Sequence, residues 1–194
     1  MAAEVQDRVQ STSLLSPRWV RVLRSVVLLI VGLVITFSAT FHEQFGFDVA
    51  VVAVALGLIG AAQAVEAAQR RSGGSALIAL AHGVVSIAAA VLVVALGSQL
   101  AFAIVIAAWA LMSALLEFVG MAVYPGSRQD AALVGGVGIA LALTVLLARG
   151  DLVAIIGFFG AYAVITGVFL GIAAFDTRRA SEPQELAATA AANA

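Results

Sequence analysis

Residues 76–123 read ALIALAHGVVSIAAAVLVVALGSQLAFAIVIAAWALMSALLEFVGMAV, and this stretch decides the fold. Two apolar runs, 76–97 and 100–123, flank the turn Gly97-Ser98-Gln99. Each run is long enough for a helix to cross the hydrocarbon core of a bilayer, which takes roughly 20 residues. Neither run shows the strict apolar–polar alternation of a membrane β-strand. The pair therefore predicts two transmembrane helices joined as a tight hairpin.

The same pattern extends to both sides. Four more apolar runs occupy 20–41, 48–69, 131–148 and 152–175. Short polar or glycine-rich separators divide them: His42-Glu43-Gln44-Phe45-Gly46, Arg70-Arg71-Ser72-Gly73-Gly74, Tyr124 to Asp130 with Pro125-Gly126 inside it, and Arg149-Gly150-Asp151. The expected fold class is all-α, a polytopic membrane protein of six helices over 20–175. A polar segment over 1–19 precedes them, and an alanine-rich tail over 176–194, expected to be disordered, follows. The first run lacks an A-x-A cleavage pattern and is expected to be retained rather than removed as a signal peptide.

Composition agrees. Of 194 residues, 63% are hydrophobic and 11% charged, whereas a soluble domain carries about 25% charged residues. A net charge of −1 gives no basic excess for nucleic acid, and the absence of cysteine excludes disulfides and thiolate chemistry. The lipid bilayer is the expected partner; a homo-oligomer or a second membrane protein stays open.

Arginine placement sets the expected orientation. With a cytoplasmic N-terminus, nine of the ten arginines lie inside and only Arg149 lies outside. The positive-inside rule then puts both termini in the cytoplasm.

The hairpins also align with one another. Gly32 and Gly83 are 51 positions apart, as are Glu66 and Glu117. A further shift of 53 carries Gly83 to Gly136, Trp109 to Tyr162 and Glu117 to Leu170. Three parallel hairpin repeats follow, at about 20–71, 76–124 and 131–175, related by an axis along the membrane normal.

Such repeats, with glycine in the first helix and Glu66-Ala67-Ala68-Gln69-Arg70-Arg71 closing the second, resemble the HdeD-like acid-resistance membrane proteins. The resemblance covers roughly 20–179. It departs from the family in its prolines, because Pro17, Pro125 and Pro183 all fall on the arginine-rich side rather than in the turns opposite. It implies a bacterial inner-membrane protein contributing to survival in acid, and it supplies no catalytic residues.

Ionisable residues inside a membrane span mark the places where chemistry is expected. Glu66 has Arg70 one turn ahead and Gln63 one turn behind, which reads either as a satisfied helix-end pair or as a responsive carboxyl. Glu117 has no basic residue within a turn, and Ser113 lies on its face. His82 stands at a similar depth on the neighbouring run, with Ser86 on its face. A His82–Glu117 contact would be either a proton-responsive pair or a polar tie between two helices. His42, beside Glu43 in the outer loop, reads as a solvated loop residue, with sensing of external acid as the alternative.

Trp109 and Tyr162 are expected in the bundle interior, and Trp19 and Tyr124 at the interface. Gly57, Gly167 and Gly171 join Gly32, Gly83 and Gly136 as expected close-packing positions.

Enzyme signatures are missing: the H-E-x-x-H pattern begun at His42 fails at Gly46, and neither a P-loop nor a nucleophile elbow occurs. The expectation is a non-enzymatic protein without cofactor or metal. A small proton-linked transporter or channel, or a structural scaffold subunit, are the alternatives.

Overall fold

The computed structural model describes residues 18–42, 44–70, 74–123 and 128–175. The segment 1–17, the tail 176–194 and the loop residue Tyr124 lie outside this range. Among the described residues six α-helices make up the bundle: α1 Arg18–Phe37, α2 Phe45–Gln69, α3 Gly74–Leu96, α4 Gln99–Val123, α5 Arg128–Leu147 and α6 Leu152–Phe175. Among the described residues there is no strand, and all six helices are long and apolar enough to cross a membrane.

Local chemistry explains where the helices end. α1 stops at Phe37, four residues before the end of the apolar run, where Ser38 turns its hydroxyl onto the carbonyl of Val34 at 2.7 Å. A 3-10 turn over Ala39–Phe41 follows. At the α3–α4 turn Gly97 adopts φ +59°, a left-handed conformation that glycine enters without steric cost. The Ser98 hydroxyl then accepts from the Ala101 amide at 3.3 Å and caps α4. Asp151 caps α6 likewise, accepting from the Ala154 amide at 3.0 Å.

The helices form a closed ring in chain order, with α6 returning against α1. Packing alternates around it: α2–α3, α4–α5 and α6–α1 are intimate, whereas α1–α2, α3–α4 and α5–α6 meet more loosely. The closest packing thus lies between the expected hairpins, not within them.

Glycine is the reason. Lipid offers no hydrophobic drive between helices, so association rests on van der Waals contact where small residues let backbones approach. A Cβ on Gly83 would sit 3.2 Å from the carbonyl oxygen of Gly60, and one on Gly32 3.1 Å from that of Gly160. On Gly138 it would lie 3.3 Å from that of Ala110. Positions 60, 110 and 160 are evenly spaced by 50 residues.

Gly167 and Gly171 pack on Leu29 and Ser25 of α1. Gly57 and Gly136 depart from expectation: neither has any neighbour within 4 Å of an added Cβ, and Gly136 is exposed. A rotation of under a turn puts Gly60 and Gly138 at the contacts instead.

The core fills the ring. Val52, Leu56, Phe102, Ile106, Val145, Ile155, Ile156 and Phe159 are fully buried. Trp109 and Tyr162 also lie inside, in an edge-to-face contact at 5.7 Å. Large apolar side chains such as Leu77, Val84, Val91, Leu143 and Ile172 point outward, as a lipid-facing surface requires.

Candidate functional site

The polar cluster is built on Arg24. It sits two turns into α1, on the side turned to the ring interior. Its guanidinium donates to Glu66 Oε2 of α2 at 2.9 Å and to Glu117 Oε1 of α4 at 3.4 Å. Glu66, almost fully buried, also accepts from Arg70 through its second oxygen. Gln63 completes this corner: in the amide orientation that satisfies both groups, it donates to Glu66 Oε2 at 3.3 Å and accepts from Arg24 at 3.1 Å. Two arginines and one amide therefore offset the desolvation of a single carboxylate.

Glu117 is held differently. Besides Arg24 at 3.4 Å, it has His82 Nε2 at 3.8 Å, which is beyond hydrogen-bond range, and Tyr162 on the same cavity wall. The shorter contact of His82 is to the backbone carbonyl of Ser113, at 3.1 Å. Glu117, His82 and Glu66 are thus brought together, but through Arg24 rather than through a direct His82–Glu117 hydrogen bond.

Ser86 and Ser113 take roles other than those expected. The Ser86 hydroxyl accepts from Trp109 Nε1 at 2.9 Å, and the Ser113 hydroxyl is buried without a protein partner. Thr166 of α6 is buried as well, one turn along from Tyr162. Both hydroxyls line a cavity of about 30 Å³ to which all six helices contribute, with Glu117, His82 and Tyr162 also on its wall. Such a space holds roughly two to three waters.

The bonds in this cluster cross the loose seams of the ring. Arg24–Glu66 spans α1–α2, while His82–Ser113 and Trp109–Ser86 span α3–α4. At the third seam, Leu170 occupies the place matching Glu66 and Glu117, and it packs on the core.

His42 corrects its expectation. It is 4% exposed, hydrogen-bonded to the fully buried Asp48. Phe47 closes over it, its ring centroid 5.9 Å from that of the imidazole. Trp19 is half exposed at the arginine-bearing end of α1.

Arg24 and Asp48 are the residues that sequence reasoning missed. Arg24 counted only toward orientation, although its i, i+3, i+6 spacing from Arg18 and Arg21 carries it into the apolar run. Asp48 opens the second apolar run and lies in the first turn of α2, where its spacing from His42 gives no sign of their contact.

The chain was compared with protein-family models, curated proteins and solved structures, and none matches. Among the described residues no group of three or more His, Asp or Glu side chains could hold a metal ion.

Proposed function

We propose that this is a non-enzymatic, multi-pass bacterial inner-membrane protein of the HdeD-like kind, with both termini cytoplasmic, contributing to acid resistance through protonation of the Glu117–His82 region. The observation that carries the reading is the weak hold on Glu117. It is bound at 3.4 Å by an arginine from another intimate pair and faces a cavity shared by all six helices.

Arg24 belongs to the α6–α1 pair, Glu66 and His82 to α2–α3, and Glu117 to α4–α5. Neutralising Glu117 removes the charge attraction between the α4–α5 pair and Arg24, leaving the His82–Ser113 and Trp109–Ser86 bonds to hold the α3–α4 seam. Three parallel repeats are supported by the alternation of intimate and loose packing and by the matching Gly–carbonyl approaches.

The test is acid challenge of a deletion strain carrying an empty plasmid, the wild type or Glu117→Gln, with membrane abundance matched. Loss of survival restored by the wild type alone supports the reading. Full rescue by Glu117→Gln would remove this carboxyl from the mechanism. Survival of the empty-plasmid strain equal to the parent's would count against acid resistance.

One observation favours a second reading, a small proton-linked transporter or channel. The Ser113 and Thr166 hydroxyls extend the polar wall beyond the charged cluster. Cysteines introduced at Ser113 and Thr166, in a chain that has none of its own, would react with water-soluble maleimides under this reading and stay unmodified otherwise.

A further inference from the structure

A second polar pair lies at the turn joining α1 to α2, and it does not depend on the reading of Glu117. His42 Nδ1 is 2.6 Å from Asp48 Oδ1, and His42 Nε2 is 2.8 Å from the backbone carbonyl oxygen of Ile35. The Ser38 hydroxyl stands 3.4 Å from Nε2. The other Asp48 oxygen, Oδ2, is buried with no partner.

Hydrogen counting constrains this arrangement. A carbonyl oxygen only accepts, so Nε2 carries a hydrogen toward Ile35. The contact between Nδ1 and Oδ1 needs another, placed either on the ring or on the carboxyl. A neutral imidazole beside an ionised carboxylate has one hydrogen for these two contacts, and the geometry requires two.

We infer that His42 and Asp48 form a proton-binding site, in which one shared proton clasps the end of α1 to the start of α2. The imidazole bridges an α1 carbonyl to an α2 carboxylate across one of the loose seams. Removing the proton sets lone pair against lone pair at one of the two short contacts, which must then open. Arg24–Glu66 closes the same seam at its other end, so the α1–α2 seam carries a polar tie at each end.

Among the described residues, His42 is the only charged or titratable group paired with Asp48; the remaining groups around the imidazole are Ser38, the Ile35 carbonyl and the Phe47 ring. Glu43, next to His42 in the chain, lies outside the described residues and is tested directly.

The experiment uses the full chain in lipid nanodiscs at neutral pH. ¹⁵N resonances of the imidazole nitrogens report the charge of the ring. With two histidines in the chain, either H42Q or H82Q assigns both by subtraction. Infrared spectroscopy reports whether Asp48 is protonated, through a carboxyl band that D48N removes.

An imidazolium facing an ionised Asp48, or a neutral imidazole facing a protonated Asp48, is the expected result, because both hold the shared proton. A neutral imidazole beside an ionised Asp48 would overturn the site. Loss of the proton in E43Q would overturn its assignment to Asp48. Raising the pH until the proton leaves should lower the thermal midpoint of the wild type, and H42Q should lack that step. A wild-type midpoint unchanged through the step would overturn the clasp.

Discussion

Arg24 and Glu117, 93 residues apart in the chain, meet at 3.4 Å across the ring. The same guanidinium holds Glu66 at 2.9 Å, so one side chain of α1 reaches acids on two other helices. Each acid belongs to a different intimate pair, which makes Arg24 the common tie of the bundle.

Replacing Arg24 with Gln should therefore be costly. Glu66 keeps Arg70, but among the described residues Glu117 then has no ion pair shorter than its 3.8 Å approach to His82. Breaking a buried pair by removing one partner costs roughly 3–5 kcal/mol, and the part-exposure of Arg24 places this case near the lower end. Thermal unfolding in a mild detergent measures it. Arg24→Lys should be intermediate, because an ammonium keeps the charge but lacks the fork that reaches both acids. A Lys variant as stable as the wild type would refute the bridging role.

The two acids should respond unequally to neutralisation. Glu66→Gln leaves Arg24 and Arg70 without their shared carboxylate and should cost about 2–3 kcal/mol. Glu117→Gln loses only long contacts and should cost less than about 1 kcal/mol. The same unfolding assay ranks them, and the opposite order would mean that Glu117 is the principal tie.

Glycine substitutions should separate into two classes. At Gly32 a methyl group would lie 2.4 Å from Val164 Cγ2 and 3.0 Å from the Val164 amide nitrogen, so Gly32→Ala should destabilise by about 1–3 kcal/mol. Gly136→Ala meets nothing and gains helix propensity, so stability should rise by about 0.5–1 kcal/mol. Paired melting curves check both, and equal effects would contradict the packing register of α5.

Ser86→Ala should leave the buried Trp109 indole N–H without its acceptor, at a cost of about 1–3 kcal/mol. In a Trp19→Phe background Trp109 is the only tryptophan, and its emission should shift when the bond is lost. Unchanged emission and stability would show that the indole finds another acceptor.

The cluster was only half legible in the chain. Glu66–Arg70 follows from an i, i+4 spacing, and the isolation of Glu117 from its apolar neighbours. The partner of Glu117 was not legible, because Arg24 reaches it across the ring and no sequence spacing encodes that distance. His42 was misread for a related reason. A histidine in a short polar turn reads as solvated until Asp48 and Phe47 fold over it.

Length and hydropathy are local properties, so the sequence alone determined six membrane-length helices, their separators and the ionisable groups within them. Rotation of each helix about its axis was decided only in the folded bundle. A soluble helix declares its inward face by an apolar stripe, whereas α2 to α6 are apolar nearly all round and only α1, which carries Arg18, Arg21 and Arg24, is strongly amphipathic. Each residue turns the helix by about 100°, so Gly60 faces the neighbouring helix where Gly57 does not, and Gly138 where Gly136 does not. With no polar face to orient those five helices, close backbone approach at glycine and the few charged bonds set the register.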